Sequence, residues 1–231
     1  MQSVEDNSVF RYALAGDIEG IQKHLENECL SSNTESPDNL LWVKDEVGRN
    51  ALFGACMLGR STTARELVIK HGLQVNEFTK RGYSPLHCAA LWGQLETVKT
   101  LVELGADVQA KNFRGERATE LASRYSKIDC AEYLTWAEAK QDLQSYITHV
   151  RDTIADPEKV QGKLNKEDKN ICTNTCSAKS DWIQNAKTTS IQEFIEQRRH
   201  LEDTVIPILS KLMTQHRVSG ASQEEPVSLC E

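Results

Sequence analysis

Cys172 and Cys176 stand four residues apart in "ICTNTCSAKSDWI", and His87 adjoins Cys88 in "SPLHCAAL". Paired thiols are what a zinc site or a redox-active dithiol uses, and an imidazole beside a thiol is the raw material of a nucleophile with its base. Each chemistry demands more than adjacency. Zinc needs a third and a fourth ligand at metal spacing, and His149, His200 and His216 are isolated. A nucleophile and its base must meet in space with a third group to orient them. On a helix, a spacing of four stacks two small apolar side chains on one face, so Cys172 and Cys176 are expected in a core near Trp182 and Ile183. No phosphate-cradling Gly-x-x-x-x-Gly-Lys loop or Gly-x-Gly-x-x-Gly turn follows a strand pattern. The acidic pairs Glu167 with Asp168 and Glu202 with Asp203 read as helix electrostatics. The expectation is a protein without catalysis, metal or cofactor.

Composition narrows the partners. The chain of 231 residues carries 27 basic and 34 acidic residues, and 16 against 20 of these fall at or before Lys140, leaving 11 against 14 beyond it. Neither half has the basic excess that binding a phosphate backbone requires, so nucleic acid is not expected. No apolar run is long enough to span a bilayer, and "MQSVEDNSVFRYALAGD" lacks the basic-then-apolar order of a secretory signal. Seven cysteines, odd in number and scattered through helical patterns, do not form a disulfide framework. A cytoplasmic protein is expected.

What must position any functional side chain is a repeat. Turn glycines recur at Gly48, Gly82 and Gly115, at spacings of 34 and 33 residues. Gly59 and Gly93 separate two short apolar-periodic segments within a unit, and Gly72 and Gly105 follow the second segment as helix-ending residues. Each unit is therefore two helices and a turn. These units resemble the ankyrin repeat, on the tetrapeptide Ser84-Pro85-Leu86-His87 and the exit "GADVQAKN". Phe53 stands where the preceding unit would have the histidine, and the following unit reads "RATE" at Arg117 to Glu120, a degenerate cap. "SVFRYALAGDIEGIQKHL" is an earlier unit lacking its leading turn, followed by a Ser-, Asn- and Asp-rich insertion near residues 27–39 that is expected as a mobile surface loop.

The ankyrin resemblance implies protein recognition through the concave side of the first helices and the turn tips. The two residues before each inter-helix turn face that groove: Met57 and Leu58, Leu91 and Trp92, Arg124 and Tyr125. Leu58, Trp92 and Tyr125 would then form an apolar stripe, rimmed by Arg49, Lys80, Arg81, Tyr83, Phe113 and Arg114. Aromatic side chains beside arginine are the usual composition of binding hot spots. The alternative is that the helix after Trp136 folds back and buries the stripe, since so apolar a surface is normally covered.

From residue 136 to 213 the pattern is helical, with Leu143, Tyr146, Ile147, Val150 and Ile154 at spacings of three and four before Pro157. Asn165 with Asp168, and Ser190 with Glu193, mark two further helix starts as reciprocal caps. Phe194, Leu201 and Val205 form a seam that reads either as a partner surface or as core. Residues 214–231 are expected to be disordered. The order "GKLNKEDKN", a cysteine-bearing helix ending at Trp182, then "EFIEQRRHLEDTVIPILSKL" with Pro207, is similar to the carboxy-terminal helical lid of seventy-kilodalton heat-shock chaperones. That resemblance implies a helical subdomain and contact with a heat-shock chaperone or its clients. Lys179 departs from it, standing where the lid has an apolar residue, and "ASQEEPVSLCE" lacks the lid protein's Glu-Glu-Val-Asp terminus. The pairing of ankyrin units with such a tail resembles a family of cytosolic ankyrin proteins, and implies association with the cilium, cleavage furrow and midbody and a role in cell proliferation. The fold expected is all-α: an ankyrin solenoid over residues 1–135 and a helical lid-like domain over 136–213, together a non-catalytic protein-binding adaptor.

Overall fold

In a computed structural model, which describes residues 8–31, 39–185 and 189–213, the chain is helical, with no β-strand among the described residues. It divides into two compact units between Glu138 and Ala139. The division expected at 135/136 lies three residues before this one, inside a single helix whose Cys130, Leu134 and Ala137 still belong to the first unit's core.

In the first unit, α1 (Ser8–Ala15), α4 (Ala51–Met57), α6 (Pro85–Trp92) and α8 (Ala118–Arg124) stack in one row. Behind them, α5 (Ser61–Ile69) packs on α4 and on α7 (Leu95–Glu103), which packs on α6, while α2 (Ile18–Ser31) packs on α1. The short α3 (Asn39–Trp42) adds Leu41 to the core, and α9 (Ile128–Ala155) adds Cys130, Leu134 and Ala137 from its first part. The inner helices are short and rich in alanine, and Ala55, Ala89, Ala90 and Ala122 are fully buried. Such small side chains let successive inner helices approach closely, and Leu52, Leu86, Val98 and Leu101 fill the space between the rows. Helix α2 runs to Ser31, so the insertion starts later than expected; residues 32–38 lie outside the described residues, as does the tail 214–231.

Each unit's turn is built alike. Asp45, Thr79 and Asn112 occupy equivalent positions, and their side-chain oxygens accept backbone N–H groups of their own turn, as in Arg49 N–H to Asp45 (2.8 Å), Tyr83 N–H to Thr79 (3.0 Å) and Glu116 N–H to Asn112 (3.0 Å). Gly48, Gly82 and Gly115 take φ values of 95°, 71° and 76°, the left-handed region that glycine reaches without steric cost. Backbone bonds then chain the tips together, Lys80 N–H to Val47 O and Phe113 N–H to Arg81 O, each 3.0 Å.

In the second unit, α9 contributes Leu143, Ile147 and Val150, α11 (Lys166–Asn185) Cys172, Cys176 and Ile183, and α12 (Ile191–Met213) Phe194, Leu201, Val205 and Ile208, all buried. The short α10 (Pro157–Val160) joins α9 to the rest, its N-terminus capped by Asp156. Phe194, Leu201 and Val205 are fully enclosed, which makes that seam core and not a partner surface. Trp182 meets Phe194 edge-on with ring centroids 5.3 Å apart. Ser190 and Glu193 form the reciprocal cap expected. Asn165 does only half: it accepts the Asp168 N–H at 2.7 Å, but the Asp168 carboxylate turns away to Lys211 of α12, at 2.8 and 2.9 Å. That carboxylate, read from sequence as helix electrostatics, is a tie between helices.

Candidate functional site

The reactive-looking residues are placed for structure. Ser84 caps α6, accepting the His87 N–H at 3.3 Å. The Ser84 N–H in turn donates to His87 Nδ1 at 3.1 Å, which leaves the ring proton on Nε2. Nε2 donates it to the Glu116 carbonyl of the next turn at 3.0 Å. Burial pulls the His87 pKa from 6.5 down to about 4, consistent with a neutral ring held by both nitrogens. It has no base function left for Cys88, whose thiol is itself buried and pushed up to about 12. Burial likewise raises the thiols of Cys56, Cys130, Cys172 and Cys176. Cys172 and Cys176 are enclosed in the second unit, and no group of three or more metal-ligating side chains occurs among the described residues.

Where the histidine is absent, other groups make the tie. Phe53 is fully buried, and Asn50 takes over: its side chain caps α4 through the Leu52 N–H at 3.1 Å and donates to Glu77, just ahead of the next turn, at 2.5 Å. In the unit reading "RATE", Glu120 accepts the Arg117 N–H at 2.5 Å, and Arg117 pairs with Glu138 on α9 at 3.0 Å. That bond to the Arg117 backbone is the leading cause holding the Glu120 carboxyl below its usual range.

The stripe residues fall at corresponding places on three successive units. Leu58, Trp92 and Tyr125 directly follow or end α4, α6 and α8, and are 47%, 52% and 52% exposed. Leu91 is half-buried behind Trp92. The turns under them share a device that the sequence reading missed: a long polar side chain from one unit lies over the turn of the unit before. Arg60 Nε donates to Leu14 O at 3.1 Å, and Gln94 donates to Met57 O at 3.4 Å. The Lys127 chain crosses Gly93 closely enough that a Cβ there would meet it at 2.7 Å. The signal was legible as a long polar residue directly after Gly59, after Gly93 and after Ser126.

The rim divides into two groups. Arg81 and Arg114 both lie over the exposed ring of Phe113, at 5.8 and 5.3 Å from its centroid, and the Tyr83 ring is tilted against it with centroids 6.1 Å apart. Lys80 is exposed beside them. Arg49 does not join this cluster. It is drawn back to Asp45 at 2.6 Å, to the Met57 sulfur at 3.8 Å and over the Phe10 ring, so it is spent within its own end of the row. Arg124 is likewise paired with Glu116.

Stacked helix pairs with backbone-linked glycine turns define an ankyrin-repeat protein, and the ankyrin-repeat family profile, in three copies, matches residues 10–112. Beyond that match, α8 and the start of α9 continue the same stacking. The chain belongs to the ankyrin repeat domain-containing protein 45 family. It is 61% identical to the zebrafish (Danio rerio) ankyrin repeat domain-containing protein 45 over 219 residues, covering 95% of this chain and 97% of that protein. Against the human (Homo sapiens) protein identity is 47% over 215 residues, 93% and 80% of the two chains, and against the mouse (Mus musculus) protein 46% over 216 residues, 94% and 86%. Ankyrin repeats make it a protein-interaction adaptor. No helix among the described residues is long and apolar enough to cross a membrane.

Proposed function

We propose that the protein is a non-catalytic adaptor that captures a protein partner along Leu58, Trp92 and Tyr125. The observation that carries this is the exposure of about half of each of three large apolar side chains at corresponding positions of stacked units. Rigid aromatic anchors of that kind concentrate binding energy, on the order of 2 kcal/mol or more per anchor. Arg81, Tyr83, Phe113 and Arg114 form the flanking rim. Five described thiols are buried and the His87 ring is held by hydrogen bonds at both nitrogens, which leaves none of them placed as a nucleophile or base. By resemblance, the adaptor acts in the cytoplasm, at the cilium and at the cleavage furrow and midbody, in cell proliferation.

The test is proximity labelling in dividing, ciliated cells with wild type and with Trp92→Ala plus Tyr125→Ala, after circular dichroism has shown the variant folded. Neighbours lost from the variant support the groove. An unchanged neighbour set removes it.

A second reading rests on the second unit. There a hollow of about 300 Å³ lies between α9 and α12, with the half-exposed Ile195 at its edge and Asp142, Arg198 and Glu202 around it. In this reading the lid-like unit contacts a heat-shock chaperone or an unfolded client. A pull-down by the full chain carrying Ile195→Glu tests it, because loss of chaperone with the ankyrin stripe intact assigns that contact to the second unit.

A further inference from the structure

The groove carries two rows, and their charges and spacings restrict what fits. The first row is apolar: Leu58, Trp92 and Tyr125. The second is basic: Lys80, Arg81 and Arg114 on the tips of the third and fourth units. None of these three cations meets a carboxylate among the described residues; the two arginines rest on the Phe113 ring alone. The acids that could neutralise them are engaged elsewhere. Asp45 holds Arg49, Glu77 holds Lys44 and Asn50, and Glu116 holds Arg124. Exposed Glu46 sits on the adjoining tip, next to the Val47 carbonyl that accepts the Lys80 N–H, and makes no ion pair with Lys80. A surface of uncompensated positive charge beside exposed aromatics favours an acidic partner.

The spacing adds geometry. Adjacent packed helices lie about 8–10 Å apart, so the apolar anchors recur at roughly that step along the stack. On an extended strand, side chains of one face recur every ~7 or ~13 Å, which misses the step. On an α-helix, residues seven apart lie on one face and are separated by about 10.5 Å, which matches it. Across the groove, the apolar row and the basic row stand at opposite ends of the eight-residue helix α6, about 12 Å long, the diameter of one α-helix with its side chains.

We infer that the occupant of this groove is an acidic amphipathic helix of a partner protein, with apolar residues at seven-residue intervals over Leu58, Trp92 and Tyr125 and carboxylates toward Lys80, Arg81 and Arg114. This rests on the groove reading above and adds the partner's chemistry to it. The carboxylates favour the third and fourth units, where the cations lie, and the helix runs along the stacking direction.

The experiment is selection from a phage-displayed library of random segments of about 20 residues, long enough for three heptad-spaced anchors. The full chain is the bait, in parallel with Trp92→Ala/Tyr125→Ala and with Lys80→Glu/Arg81→Glu/Arg114→Glu, both checked for helicity. The expected clones bear apolar residues at seven-residue spacing with Asp or Glu on the adjoining face. They bind the charge-reversed chain at least about tenfold more weakly, and weaken as salt rises from about 50 to about 500 mM. Acidic clones with alternating or proline-broken patterns overturn the helix. Neutral or basic clones overturn the charge preference. If no clone distinguishes wild type from the Trp92/Tyr125 variant, the groove reading itself falls, and this inference with it.

Discussion

His87 Nε2 lies 3.0 Å from the Glu116 carbonyl oxygen, 29 residues on, so the imidazole of one unit fastens the turn of the next. A second bond requires the ring to be neutral: Nδ1 accepts the Ser84 N–H, which a protonated Nδ1 could not do. The folded state therefore resists a proton that the unfolded chain takes up with a pKa of 6.5. With the folded pKa lowered to about 4, the stabilisation is complete above pH 6.5 and is lost as pH falls from there toward 4. At about pH 5 the loss amounts to ~2 kcal/mol. Urea denaturation at about pH 7 and 5 checks it: His87→Gln starts less stable, yet loses less on acidification than wild type. Parallel losses in the two chains would show that this ring protonates freely.

Ser126 and Gly93 occupy the same turn in successive units with opposite consequences. Ser126 is the one described non-glycine residue at positive φ, 55°, whereas Gly93 is at 72°. A side chain in the left-handed region costs roughly 1–2 kcal/mol, offset in part by the greater freedom of an unfolded glycine. Ser126→Gly is expected to raise stability by about 0.5–1 kcal/mol, and Gly93→Ala to lower it by about 1–2 kcal/mol. Thermal or urea denaturation of both variants reads the two signs. A destabilised Ser126→Gly contradicts the strain argument.

These turns also show what was legible in the sequence. Glycine spacing, the Ser-Pro-Leu-His tetrapeptide and the "GADVQAKN" exit are local signals, and local signals set the repeat. Ties between units were not local. Asn50 with Glu77, separated by 27 residues, and Arg124 with Glu116 depend on which side chains the stack happens to juxtapose. Arg49 illustrates the cost: its rank as a rim residue followed from its register, but Asp45, four residues upstream, captures it. In the second unit, Asn165 and Asp168 matched the reciprocal-cap pattern, and the pattern could not reveal Lys211 waiting 43 residues away. The continuity of α9 was not legible, because "IDCAEYLTW" carries Cys130 and Leu134 into the first unit's core, whereas Leu143, Ile147 and Val150 beyond it belong to the second.

The thiols should be slow. Burial raises all five described cysteines, and Cys88 at about 12 has only about one thiolate in 10⁵ at neutral pH. Under native conditions near pH 7.5, iodoacetamide followed by peptide mass mapping is expected to leave Cys56, Cys88, Cys130, Cys172 and Cys176 largely unmodified until the chain is unfolded. Rapid labelling of any one of them would reopen the case for a nucleophile.

Asp168 and Lys211 join α11 to α12 within the second unit. The carboxylate is nearly enclosed, at 11% side-chain exposure, while the ammonium is half exposed, so solvent screens the pair substantially. The coupling expected from a double-mutant cycle of Asp168→Asn and Lys211→Met is therefore about 1 kcal/mol. The single Lys211→Met change costs more than removal of a surface lysine, because it strips an enclosed carboxylate of a partner. A cycle that closes at zero would assign Asp168 to helix electrostatics after all.

Trp92 and Leu86 lie on the same short helix and separate recognition from packing. Leu86 is 1% exposed and contributes to the core shared by successive units, so Leu86→Ala is expected to cost 2–5 kcal/mol through lost burial and the cavity left behind. Trp92 is 52% exposed, and its truncation removes contacts on one side only. Trp92→Ala should cost less than about 1 kcal/mol and leave the far-ultraviolet circular dichroism unchanged. The same substitution should abolish capture of a peptide selected on the groove. The two readouts together decide the residue's role: a Trp92→Ala chain that melts with Leu86→Ala places the indole in the core, whereas a stable chain that no longer binds places it in the recognition surface.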